Sequence, residues 1–353
     1  MSIKQGSASY PPIVKQAKIL GYVAETNGIF HSRDIGRGFS LSGNVYLMFG
    51  DTFCNDSNGE FMGLVNNTVA IMEDFKQPLR SKYVEYGDNG LVKPFLPLTP
   101  EEVALEMDGK GRVALWVFGG VIEMEDGTGR LWYQKSIDHF NGFVEYIGTG
   151  VAKVLETYGV EQQLAVERMD GLVFGAYEPR MGTFSVIAKD EFIYLYGDRP
   201  DGRIILARVD MGHNDDPLGK KEAYYYWDGE NWVQDWKKAK VVIEGMQQGA
   251  IVHSRIFGED RPYLFVGTSK TADSQVYMGV SAKLEGPWEI KAVCKAEGIK
   301  EPTKEGKWMY CIYPQLWFSN ENAAELLLTW SEQYPGGVVA AKISLRRLNT
   351  ILA

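Results

Sequence analysis

Phe184–Gly197, FSVIAKDEFIYLYG, reads as two short extended runs meeting at Lys189-Asp190. Phe192, Tyr194 and Tyr196 fall on one face of the second run, and Ile193 and Leu195 on the other. That two-residue period belongs to a strand and not to a helix. Arg203–Val209, RIILARV, and Ala223–Trp227, AYYYW, continue the series, and the turn pair Asp228-Gly229 then leads into Asn231-Trp232-Val233. The stretch therefore describes a small sheet of short strands joined by tight turns.

The same grouping recurs on both sides. Upstream lie AKILGYV (17–23), GFSL (38–41), NVYLMF (44–49) and TVAIM (68–72), then VALWVF (113–118), LWYQKSI (131–137) and FVEYIG (143–148). Downstream come AIVHSRIF (250–257), RPYLFVG (261–267), QVYMGVSA (275–282) and GPWEI (286–290), and finally CIYPQLWF (311–318), ELLLTWS (325–331) and VVAAKISL (338–345). Helical periodicity is confined to Pro100–Met107 and a candidate run from Val151 to Leu164. Five strand groups, repeating at roughly 50 to 80 residues, predict an all-β five-bladed β-propeller formed by residues 1–353 as one domain. A pair of β-sandwiches is the competing architecture. AKILGYV is the candidate to complete the last blade.

Composition narrows the function classes. The 353 residues are 45% hydrophobic and 24% charged, with a net charge of −9. An acidic chain without clustered Lys and Arg is a poor partner for nucleic acid or an anionic membrane. Cys54, Cys294 and Cys311 cannot all pair and lack metal-type spacing, and the first residues show no signal sequence, so a cytoplasmic setting is expected. The scattered His31, His139, His213 and His253 give no zinc pattern. The turn Asn214-Asp215-Asp216 suits solvent better than Ca²⁺. No metal or cofactor is expected.

Chemistry points to Asn27–Phe53, NGIFHSRDIGRGFSLSGNVYLMFGDTF. Asp51 follows a strand and Gly50, and Asp34 precedes the segment IGRG on the way into the preceding short strand. If those strands are neighbours, both carboxylates reach one rim, where a pair can divide proton donation from proton acceptance. A capping or turn role is the plain alternative. Phe49 and Phe53 flank Asp51 and suggest the acid; Arg33 and His31 lie near Asp34 and suggest an ionised base.

These residues also carry a resemblance. Asp34-Ile35-Gly36 followed by Phe49–Phe53, FGDTF, resembles the TDLG…FGDTF signature of a five-bladed propeller family that includes bacterial endo-D-arabinanases. Met181–Phe184 with Ile193–Val209, Tyr225-Tyr226-Trp227, Glu285–Trp288, Tyr313-Pro314 and Leu328–Ser331 are similar to further elements of that family. The resemblance implies that Asp34 and Asp51 match its acidic pair. Gln247-Gln248-Gly249-Ala250 stands where the family has a Glu-containing segment, which argues for a reaction other than glycoside hydrolysis. A second resemblance, through YPPIV and AKILGYVAETNGIFHSRDIGRG, is to the cytosolic propeller protein of fungal trichothecene clusters.

Substrate-contact candidates are His31, Asn67, Glu178, Arg180, His253, Tyr313 and Trp317, each with a structural alternative: an Asx turn at Asn67, a surface ion pair for Glu178 and Arg180, and core positions for His253, Tyr313 and Trp317. The leading expectation is an acid/base cyclase or isomerase acting on a small hydroxylated metabolite of the trichothecene-type sesquiterpenoid class. The alternatives are an endo-acting, arabinanase-like glycoside hydrolase and a non-catalytic ligand-binding propeller.

Overall fold

The computed structural model describes residues 7–83, 85–109, 111–158, 162–212, 216–269, 273–299 and 308–348. Five antiparallel sheets are arranged as the blades of a propeller. Their innermost strands are Ser32–Leu41, Arg112–Trp116, Ser185–Lys189, Gln248–His253 and Met309–Pro314. The strands of each blade run as a meander joined by short connections, except in the fifth, where the first strand of the chain joins the last.

The ring closes through the chain's beginning. Val14–Tyr22 pairs antiparallel with Val338–Leu345 and forms the outer strand of the fifth blade. AKILGYV belongs to this strand, so the two ends of the chain are tied by backbone hydrogen bonds.

Cohesion comes from the gaps between blades. Phe39, Tyr46 and Met48 of the first blade meet Val113, Leu115 and Leu131 of the second. Trp132 and Val151 meet Ile193, Leu195 and Ile205 in the next gap. Comparable clusters join the third blade to the fourth, the fourth to the fifth and the fifth back to the first. Each fully buried Leu, Val, Ile or Phe contributes roughly 1.5–3 kcal/mol. Surface ion pairs contribute about 0–1 kcal/mol each, so apolar packing sets the architecture.

Pro100–Met107 is the α-helix expected there, started by Thr99, whose side chain and Glu102 form a capping box. The second helical expectation fails. Residues 151–158 lie inside the strand Val144–Tyr158, and 162–164 begin the strand Gln162–Arg168. Val151, Val154 and Thr157 are β-branched, and pairing with Gly129–Asp138 on one side fixes an extended chain. No helix among the described residues is long and apolar enough to cross a membrane. His213 and the Asn214-Asp215 pair lie outside the described residues.

Candidate active site

Asp34 sits where the first inner strand departs from regular pairing. Arg33 opposes Thr52 and Ile35 opposes Phe49, so Asp34 occupies a bulge across from Gly50 and Asp51. Ile35 and Gly36 follow with φ of 67° and 69°. A β-branched residue in that left-handed region costs about 1–3 kcal/mol, a strain that persists only when packing imposes it. Gly50 explains itself here: a Cβ at that position would lie 2.3 Å from Asp34 Oδ1. The glycine of FGDTF makes room for the carboxyl group of the other strand.

The neighbouring inner strand is irregular at the facing position. Pairing with Glu325–Glu332 shifts between Tyr310 and Tyr313, and Cys311 has φ of 51°. Tyr310 thereby aims its hydroxyl at Asp34, donating to Oδ2 at 2.9 Å. Asp34 Oδ1 is buried without a hydrogen-bond partner among the described residues. Burial, followed by the charge of Asp51, pushes the Asp34 carboxyl up to about 7, while the Tyr310 hydrogen bond works in the opposite direction. Burial and the Asp34 charge push the Tyr310 phenol upward, so it stays a donor.

Asp51 has the surroundings of an anion. Arg112 Nη1 donates to Oδ1 at 3.0 Å and Nη2 to Oδ2 at 2.7 Å, a fork matched to a carboxylate. Trp116 Nε1 donates to Oδ1 at 3.3 Å, and Arg112 Nη2 also reaches Asp138 at 3.2 Å. These surroundings are the opposite of those read from sequence neighbours. Phe49 packs among Val338, Ala340 and Tyr83, whereas Asp51 turns toward Arg112 of the next blade. Arg33 is likewise absent from Asp34's surroundings: it donates to Tyr83, Val23 and Ser81 and lies 3.7 Å from the centroid of the Phe49 ring.

Beside the pair lies a cavity of about 460 Å³, bordered by Trp116, Gln134, Arg180, Asp198, Gln248 and Tyr313 among others. Neither Asp34 nor Asp51 is among the lining residues; Asp51 is joined to the lining by the hydrogen bond from Trp116. Asp198 is the carboxyl among the lining residues; burial pushes it upward, opposed by Arg180, whose Nε lies 3.5 Å away. Gln248 accepts a hydrogen bond from the Cys311 backbone N–H at 3.0 Å, so the Gln247-Gln248 segment belongs to the cavity.

The other sequence candidates separate. Arg180 and Tyr313 line the cavity, Arg180 stacking over Tyr146. Glu178 accepts from the Gly175 backbone and pairs with Lys221, which turns it from the cavity. His31 is buried between Glu25 and the Asn55 backbone N–H, so it braces a loop and is not open to substrate. His253 is exposed and is not a core histidine; with Trp317, 37% exposed, it borders a separate cavity at the other end of the channel.

Asn67 is also structural. Its Oδ1 accepts from Leu96 N at 2.6 Å, and its Nδ2 donates to Leu96 O and Asn66 Oδ1. Asn66 in turn bonds Val113 O and Leu115 N, knitting the first blade to the second. Asn67→Ala strands several buried polar groups and is expected to cost about 2–4 kcal/mol in urea unfolding. Turnover per folded molecule should stay unchanged; a selective loss of turnover at full stability would place Asn67 in the site instead.

Arg112, Trp116, Tyr310 and Asp198 were not singled out in the sequence. They come from three separate stretches, Arg112 and Trp116 sharing one strand, and only the ring of blades brings them together. Among the described residues, no group of three His, Cys, Asp or Glu side chains could hold a metal ion.

A family model described as a domain of unknown function (DUF5005) matches residues 22–333. No curated protein matches the chain. Among solved structures, a presumed hydrolase from Bacteroides ovatus is similar with a TM-score of 0.63 at 16% identity, over 88% of this chain and 85% of that one. A glycoside hydrolase is similar with a TM-score of 0.50 at 10% identity, over 95% and 94% of the two chains. A GH43_1 enzyme from Xanthomonas citri, at TM-score 0.45, 12% identity, 93% and 90% coverage, is too remote to bear on the argument. Likeness at these identities concerns the fold.

Proposed function

The chain belongs to the DUF5005 family, and we propose that its site hydrolyses glycosidic bonds, with Asp34 as the group that moves the proton. The observation carrying this reading is Asp34 itself: a carboxyl pushed up to about 7 by burial and by Asp51, whose own hydrogen bond to Trp116 links the pair to a cavity large enough for a sugar. A group titrating near neutrality is both an available acid and an available base. Asp51, fixed by Arg112 and Trp116, keeps its charge in place and holds Asp34's proton affinity high. Asp198 on the cavity wall is the candidate for the second carboxyl that glycoside cleavage requires.

The wall favours a sugar over a terpenoid skeleton. Arg180, Asp198, Gln134, Gln247, Gln248 and Ser269 offer donors and acceptors for hydroxyl groups, while Trp116, Phe118, Phe184 and Tyr313 offer aromatic surface. Similarity to a solved glycoside hydrolase fold supports the same choice. The cyclase reading leaned on the missing Glu segment, yet the glutamines there still border the cavity.

The test is a panel of aryl pentosides and hexosides and plant-type oligosaccharides, with reducing-end release as the readout. Hydrolysis of at least one member, lost roughly 100- to 10,000-fold in Asp198→Asn, is expected. No release across the panel, or release indifferent to both Asp34 and Asp198, would overturn the reading.

A further inference from the structure

The propeller channel has a second cavity, of about 320 Å³, at the end away from Asp34. Strand direction places it there. Gln248 and Gly249, at the start of their inner strand, border the first cavity, while Ile251, Val252 and His253, at its end, border the second. The third blade repeats the pattern, with Thr183 and Phe184 at one end and Val186, Ile187 and Ala188 at the other.

Arg37 points into this space from the first inner strand. It is 5% exposed, and its only hydrogen bond shown is from Nη2 to Gly119 O at 3.2 Å. Nε and Nη1 have no partner among the described residues, and no carboxylate there pairs with the guanidinium. The nearest compensation is the Tyr313 ring, 5.1 Å from Cζ to centroid. Burial alone pulls Arg37 down to about 10, still charged at neutral pH.

A buried, unpaired guanidinium is costly, since its desolvation is repaid only by an opposing charge or a full set of acceptors. The other strongly buried arginines are better compensated: Arg112 has Asp51 and Asp138, Arg130 has Asp216, and Arg33 has three neutral acceptors, Tyr83, Val23 and Ser81, where Arg37 has one. Room beside Arg37 is provided by Gly120, where a Cβ would come within 3.3 Å of Nε and Nη2. Glu123 also borders the cavity, but it is exposed and accepts from Ser42 N at 2.8 Å, away from a role as counter-ion.

The geometry points to an oxyanion site in this second cavity, in which Arg37 Nε and Nη1 donate to a phosphate, sulfate or carboxylate group. His253 and Trp317 form its outer wall. The site is independent of the proposed hydrolysis, because Arg37 borders this cavity and Asp34 does not.

The test titrates inorganic phosphate, and separately sulfate and formate, into the full-length protein at constant ionic strength set by chloride. A saturable rise in melting temperature of about 2 °C or more is expected in wild type, with one site per chain by calorimetry. Asp34→Asn should keep that response and Arg37→Met should lose it. Removing an unpaired buried charge should also let Arg37→Met fold at least as stably without added oxyanion. Arg37→Lys keeps the charge but loses the fork, so its affinity should fall roughly tenfold. A response confined to formate would assign the site to carboxylates, and one confined to phosphate or sulfate to tetrahedral oxyanions. No saturable response in wild type, or equal affinity in Arg37→Met or Arg37→Lys, would overturn the proposal.

Discussion

Asp34→Asn is expected to abolish turnover and, at the same time, to stabilise the protein above neutral pH. Loss of a positioned proton-transfer group costs roughly 100- to 10,000-fold in rate. The stability change follows from the raised proton affinity. Near pH 3, below the ordinary aspartate value, Asp34 is mostly protonated in both folded and unfolded chains and burial carries little electrostatic penalty. Between about pH 4 and 7 the unfolded chain ionises this carboxyl while the folded chain keeps it protonated beside Asp51, so the advantage held at low pH is lost progressively and is gone above about 7. Asparagine has no charge to bury. The variant should therefore match wild type near pH 3 and exceed it at pH 8 by about 2–4 kcal/mol, taking ~1.4 kcal/mol per pH unit and discounting for solvent in the channel. Thermal unfolding across that range checks it, and equal pH slopes for both proteins would show that Asp34 titrates normally.

Asp51→Asn should act through Asp34. It removes the negative charge that raises Asp34 and frees Arg112, whose positive charge already lowers it. The pH midpoint of activity should move down by about 1–2 pH units. The fold also loses the Arg112 fork and the Trp116 hydrogen bond, for a cost of about 1–3 kcal/mol, softened because Asp138 still pairs with Arg112. A pH–rate profile of the variant separates this from a purely structural role. An unchanged midpoint with reduced stability would mean that Asp51 braces the blades and does not tune Asp34.

Strand alternation made the propeller legible, because each inner or second strand, such as Phe192–Asp198, alternates between two blade gaps. The region of 151–164 misled because Ala, Leu and Glu among its valines also suit a helix, and only pairing with the strand before it decides. Asp34 and Asp51 could be found because Gly50 and the segment Ile35-Gly36 mark an irregular pairing in the sequence itself. Their surroundings could not. A bulge changes which way each side chain turns, so Phe49 and Phe53 say little about Asp51, and Arg33 says nothing about Asp34. Arg112, Tyr310 and Asp198 lie in different blades, and nothing local announces a partner 276 positions away.

The most direct measurement is an infrared pH titration of the Asp34 carboxyl, taken as the difference between wild type and Asp34→Asn. A protonated carboxyl band should persist to neutral pH and disappear with a midpoint near 7. Disappearance near pH 4, as for a solvent-exposed aspartate, would contradict the proton-carrying role and with it the proposed chemistry.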